Sequence, residues 1–224
     1  GSPFSVTCMP SYLDPTASHV SGEGMQRAVA GEPADLLVTP RDFAGNALAA
    51  RAYFEQLEVR LEHVTTGAPA EVWVRACADG AFEVSYTAEV AGEHELWVRF
   101  RGKPLQGSPY RVTVAPAAAE PTNCVVHGLN RGGDVAEAEA GEVRSGTLVL
   151  RDKYGNERDA GTEVVTLSLR RAADGATSGG EVRRQKSGRY ELSFCVTDAG
   201  EYEVSVKVGG VAVRAAAASF PLLV

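Results

Sequence analysis

Four cysteines and four histidines are the side chains best suited to chemistry in this chain, and their spacing argues against most of it. Cys8, Cys77, Cys124 and Cys195 form no CxxC pair. Their intervals match neither a zinc site nor a disulfide framework. His19, His63, His94 and His127 are scattered, none within ligand spacing of a cysteine or of another histidine. No P-loop, GxSxG or HExxH occurs, and Arg131-Gly132-Gly133-Asp134 carries one glycine too many for the tripeptide that integrins read. Asp152, Asp159 and Asp174 lie near loops, but calcium needs a spaced run of acidic ligands; they read as solvated loop residues. Cys77 and Cys195 fall within strand-like runs and read as small buried hydrophobes. The expectation is a protein without catalytic residues, metal or cofactor, and not an enzyme.

The chain has 224 residues, 44% of them hydrophobic and 23% charged, ordinary for a globular protein. That length fits two domains of about 100 residues better than one. No apolar run approaches the roughly 20 residues of a membrane helix, so no membrane insertion is expected. A net charge of −7 argues against nucleic acid or an anionic membrane as partner, since both need surplus Lys and Arg. Asn46, Asn123, Asn130 and Asn156 begin no N-x-[ST] sequon. With unpaired cysteines, this points to a reducing compartment. The opening GSPFSVTCMP has neither an initiator Met nor a signal-peptide pattern, and reads as cut from a longer chain.

Internal repetition sets the organisation. Gly1–Val20 (GSPFSVTCMPSYLDPTASHV) recurs as Gly107–Val126 (GSPYRVTVAPAAAEPTNCVV), a shift of 106. Arg41–Asn46 (RDFAGN) recurs at Arg151–Asn156 (RDKYGN), and Phe82–Gly102 at Tyr190–Gly210, shifts of 110 and 108. One unit therefore covers 16–116 and a second 121–224, joined by a linker at 117–120. Residues 1–15 read as the last strand of a preceding unit, with Gly1-Ser2 alternatively a cloning remnant.

Each unit reads as strands. Leu57, Val59 and Leu61 alternate with Glu58, Arg60 and Glu62; Phe82, Val84 and Tyr86 with Glu83 and Ser85; Leu96, Val98 and Phe100 with Glu95, Trp97 and Arg99. Val165, Leu167 and Leu169, then Tyr190, Leu192 and Phe194, repeat the pattern. A period of two buries one face and wets the other. Glycine-bearing turns such as Ala44-Gly45-Asn46 and Ala199-Gly200 separate the runs. About seven short strands per unit make an all-β chain of two tandem immunoglobulin-like β-sandwiches.

Both units resemble the filamin repeat. The likeness rests on Ala30-Gly31-Glu32-Pro33-Ala34, Arg41-Asp42, Gly80 through Tyr86, Ala91-Gly92-Glu93 and Gly107-Ser108-Pro109-Tyr110. In the second unit it rests on Ala140-Gly141-Glu142, Arg151-Asp152, Gly188 through Phe194 and Ala199-Gly200-Glu201-Tyr202. Ser219-Phe220-Pro221 departs from the Gly-Ser-Pro pattern at the last strand. Neither unit has cysteines on both its second and sixth strands, so the antibody inter-sheet disulfide is not available.

The resemblance implies an interaction module that takes extended segments of partner proteins beside the third strand, packed against the fourth. In the first unit these are Leu57–Val64, with Leu57, Val59 and Leu61, and Glu71–Cys77, whose Glu71, Trp73 and Arg75 point outward with Trp73 as anchor. In the second they are 163–171 and 181–186, where Arg170, Arg171, Arg183, Arg184 and Lys186 gather on one edge, either blunting aggregation or docking an acidic partner. Neighbouring repeats of the same chain are further partners. The resemblance implies a scaffold in the cytoplasm, attached to the cytoskeleton. An adhesion or gamete-recognition ectodomain, or a segment of a large ciliary motor or ubiquitin ligase, stays open.

Overall fold

The alternating pattern is realised strand by strand: over Phe82–Thr87 and Gly92–Phe100 alternate residues are buried. The computed structural model describes residues 3–129, 136–158, 162–185, 188–214 and 219–224. They form two compact units, Gly1–Ala115 and Pro116–Val224, each an immunoglobulin-like sandwich of two sheets.

The first unit contains β1 (His19–Ser21), β2 (Arg27–Val29), β3 (Ala34–Thr39), β4 (Leu57–His63), β5 (Glu71–Ala76), β6 (Phe82–Thr87), β7 (Gly92–Phe100), β8 (Lys103–Pro104) and β9 (Tyr110–Ala115). One sheet runs β1-β3-β6-β5 and the other β2-β9-β7-β4, with β8 on β7. All neighbours are antiparallel except β2 and β9. The inner faces meet through Leu36, Val38, Phe82, Val84 and Tyr86 on one side and Leu61, Leu96, Val98 and Phe100 on the other. The buried Tyr86 hydroxyl donates to the Gly24 carbonyl at 2.5 Å, and burial pushes its pKa up to about 12. A 3-10 turn over Ala50–Gln56 lays Phe54 against Phe82, ring centroids 6.4 Å apart. The sequence reading placed nothing there, because seven residues of 3-10 turn carry no periodic apolar signature.

The second unit contains β10 (Val125–His127), β11 (Ala136–Glu137), β12 (Val143–Val149), β13 (Val165–Arg171), β14 (Thr177–Gly179), β15 (Glu181–Arg184), β16 (Arg189–Cys195), β17 (Glu201–Val208), β18 (Val211–Ala212) and β19 (Ser219–Leu223). Its sheets run β10-β12-β16-β15 and β11-β19-β17-β13-β14, with β18 on β17. Its core is self-contained, from Cys124 and Leu148 to Val206 and Leu222.

The entry to each unit is fastened by a buried aspartate. Asp42 is 1% exposed and Asp152 fully buried. Asp42 accepts from the main-chain N–H of Ser11, Ala44 and Asn46 and from the Asn46 amide. Asp152 accepts from Ala117, Tyr154 and Asn156 N–H and from the Asn156 amide. Arg158 donates to the Ala117 carbonyl and Glu120 N–H to Arg151 O at 2.8 Å. Residues 117–120, read as linker, thus lie on the second unit. Asp152 is not the solvated loop residue expected; its oxygens are spent on main-chain donors. Asp174 is exposed, caps Ala176 N–H and faces Arg171 at 3.8 Å. Asp159 lies outside the described residues. Residues 3–10, read as a displaced strand, form none here.

Candidate functional site

The two strands expected to form the groove, β4 and β5, are the margins of their sheets: among the described residues β4 has one partner strand, β7, and β5 has one, β6. Main-chain direction along β4 follows from its flanking bonds. Val64 N–H bonds Glu93 O and Arg101 N–H bonds Gln56 O, so even-numbered residues face β7. His63 N–H bonds Ala68 O and Leu61 O accepts from Ala70 N–H, so odd-numbered residues face away from it. Past Ala70 the chain leaves for the other sheet, where Glu71 and Val72 pair with Thr87 and Tyr86. The outward N–H and C=O of Val59 and the outward C=O of Leu57 are left without a neighbouring strand among the described residues. This is the geometry that accepts a further strand.

Side chains beside that edge are set by register. Directly opposed residues share a face. Val72, Val74 and Ala76 oppose Tyr86, Val84 and Phe82, all fully buried, and so face inward; yet they are only half-buried themselves. Leu57 and Val59, likewise half-buried, oppose Phe100 and Val98. The half-buried apolar side chains of Leu57, Val59, Val72, Val74 and Ala76 thus border the cleft between the two sheet margins.

The residues expected to bind partners fall into different places. Leu57 and Val59 line the cleft. Leu61 is 1% exposed and, with its carbonyl bonded to Ala70 N–H, offers a partner only its outward N–H. Glu71, Trp73 and Arg75 point outward from β5, on the face opposite the cleft. Trp73, 53% exposed, opposes Ser85 and borders a notch of about 320 Å³ with Asp35 and Glu83. Arg75 is ion-paired to Glu83. In the second unit Arg170 opposes Glu203 and Thr177, while Arg183 and Arg184 lie in the other sheet opposite Glu191 and Tyr190. Arg183 and Arg184, consecutive on a strand, take opposite faces. Arg171 faces Asp174 and Asp198. The expected gathering of arginines is therefore corrected to separate positions. Lys186 lies outside the described residues.

Two other readings change. Cys195 is exposed and Cys77 half-buried; Cys124 is the buried thiol, and burial pushes its pKa up. The sequence reading also missed a histidine pair. His63 opposes His94 across β4 and β7, ring centroids 5.0 Å apart. His94 is 1% exposed, and burial, with His63 nearby, lowers its pKa despite a contact to the Gly92 carbonyl. Residues 31 positions apart show no such pairing in sequence until the register is known. No third ligand joins them among the described residues, and no helix there is long and apolar enough to cross a membrane.

The fold thus defines an immunoglobulin-like sandwich in each unit, with the outer edge of β4 open in the first among the described residues. Within that class, residues 12–111 and 118–216 match the Filamin/ABP280 repeat, and the chain belongs to the filamin repeat family. It is 33% identical over 118 residues to Filamin-C of Mus musculus, covering 52% of this chain and 4% of that protein. Filamin-A of Drosophila melanogaster is 29% identical over 141 residues, covering 62% and 6%. The E3 ubiquitin-protein ligase TRIM45 of Bos taurus is 29% identical over 102 residues, covering 46% and 17%. The chain thus spans a small fraction of these relatives. Among solved structures, the FdeC adhesin of Escherichia coli superposes with TM-score 0.64 at 20% identity, covering 95% of this chain and 65% of that one. Invasin, a bacterial integrin-binding protein, superposes at TM-score 0.59 and 12% identity, covering 95% and 40%. These two likenesses establish fold alone.

Proposed function

We propose that the first unit is a strand-accepting module of a larger scaffold protein. An extended segment of a partner pairs with the outer edge of β4 and sets alternate apolar side chains into the cleft against β5. The carrying observation is the unpaired main chain of Val59 beside half-buried Leu57, Val72, Val74 and Ala76. Main-chain pairing supplies affinity and the alternate side-chain pockets supply selectivity. Likeness to Filamin-C and Filamin-A supports a cytoskeleton-associated setting. The ligase matches extend over about one repeat's length and carry no ligase activity to this chain.

The test is a peptide selection from a random display library on the 224-residue chain, followed by titration into ¹⁵N-labelled protein. Selected peptides shift Leu57–Leu61 and Val72–Ala76. Val59→Pro removes the outward N–H while leaving the bonds to β7, since proline is tolerated on an edge strand facing solvent; it weakens binding more than about tenfold, roughly 1.4 kcal/mol. Trp73→Ala, on the other face, changes it less than about threefold. Undiminished binding to Val59→Pro, with shifts confined elsewhere, refutes the reading.

A further inference from the structure

We infer that strand acceptance is confined to the first unit, because the second fills the equivalent edge with its own chain, and that Gly180 is the residue that decides this. The inference rests on the reading of β4 as a strand-accepting edge. Registers make the two units superposable residue by residue. Val59 opposes Val98 and Leu167 opposes Val206; Trp73 opposes Ser85 and Glu181 opposes Ser193. At the constant shift of 108, Val59 corresponds to Leu167, Val72 to Gly180, Val74 to Val182 and Ala76 to Arg184.

The connections leaving the third strand begin alike. His63 N–H bonds Ala68 O, and Arg171 N–H bonds Ala176 O. They diverge just before the next strand. In the first unit Glu71 and Val72 have already crossed to β6. In the second, Thr177, Ser178 and Gly179 stay paired with Arg170, Leu169 and Ser168, and Gly180 N–H donates to Leu167 O at 2.9 Å. The outward carbonyl of Leu167, counterpart of the open Val59, therefore already has a donor from its own chain.

Only glycine fits there. A Cβ on Gly180 would lie 2.4 Å from Leu167 Cδ2 and 2.8 Å from Ser193 O, closer than non-bonded atoms approach. A valine such as Val72 cannot take that position, so the chain must swing away and bare the edge. The cleft differs in keeping: Val72, Val74 and Ala76 are replaced by Gly180 packed on Leu167, Val182 packed on the core and Arg184. Two of the three apolar residues on β5 thus have a glycine and an exposed arginine as their counterparts. The covering strand β14 is itself exposed at all three residues, so it holds by main-chain bonds, without a buried side chain of its own.

Amide exchange on the full chain, with the display-selected peptides as probe, tests this. The Gly180 amide, bonded to Leu167 O, exchanges at least about 100-fold slower than that of Val59. The peptides shift β4 and leave β13 unmoved. Gly180→Val brings the amide at position 180 to the rate of Val59, keeps Leu192 protected, and adds peptide shifts over Val165–Leu169. Ser178→Pro, which deletes a covering N–H without touching Leu167, does the same if Gly180→Val fails to fold. Gly179→Ala, whose Cβ meets nothing within 4 Å, leaves exchange unchanged. Equal wild-type exchange at Val59 and Gly180, or peptide shifts on β13 in the wild type, overturns the inference. Peptides that shift neither strand while the exchange contrast holds refute the binding function and leave the covered edge standing.

Discussion

At the scale of single residues, the side chains with the strongest chemistry are spent on holding the fold. Asp152 carries a full charge out of water and recovers it through donors aimed at both its oxygens. Removing the carboxylate strands those N–H groups, so Asp152→Ala costs the second unit about 3 kcal/mol, or roughly 10–20 °C in melting temperature; differential scanning calorimetry measures it. The same bonds set a pH dependence. The Asn46 amide, then Ser11 N–H, hold the Asp42 carboxyl down at about 2. In Asp152 burial pushes the carboxyl up, but the Asn156 amide and the main-chain donors outweigh it and the net shift is downward. A carboxyl lowered on folding stabilises above its unfolded pKa of about 3.9 and loses that stabilisation as pH falls toward its folded value. Urea midpoints therefore drop between about pH 4 and pH 2, and Asp42→Asn flattens that slope. Arg41-Asp42 and Arg151-Asp152 stood out in the sequence as a repeated pair. That they clamp the incoming chain could not be read there, since Ser11 and Ala117 lie 31 and 35 positions away.

At the scale of elements, the sequence settled what depends on alternation and left open what depends on neighbours. Period two located the strands, because a half-buried strand must write its two faces into its residues. Parity then tells which face each side chain takes, and Cys195 shows how a strand-like setting misleads when parity is set aside. Tyr190, Leu192 and Phe194 are the inward set of β16, so Cys195 must point out. Cys124, outside any long run, is the buried thiol. Iodoacetamide therefore labels Cys195 in native protein at least about tenfold faster than Cys124, whose thiol is both enclosed and raised in pKa. Equal rates would contradict the placement of β16. The open edge was legible only as a resemblance. Which strand is marginal follows from sheet order, and the Gly180 bond to Leu167 on β13, without a counterpart at Val59 on β4, joins residues that only the fold brings together.

At the scale of the whole molecule, each unit closes a core of its own, and this has a mechanical consequence. The buried cluster from Cys124 to Leu222 draws every member from the second unit. Phe82 in the first is fully buried, with rings of Phe54 and Phe100 at 6.4 and 6.0 Å. Truncating it removes the centre of that packing and leaves a cavity that a strand-bounded core cannot collapse into, a cost of about 3–5 kcal/mol. Because the second cluster is built from its own unit's residues, that loss is expected to stay within one sandwich. Phe82→Ala therefore lowers amide protection on β3, β6 and β7 by about 100-fold or more, following the local free energy of opening, and leaves β12, β16 and β17 unchanged. A parallel fall in both sets would show that the units unfold as one body. Independent opening would let either sandwich loosen while its companion keeps its fold.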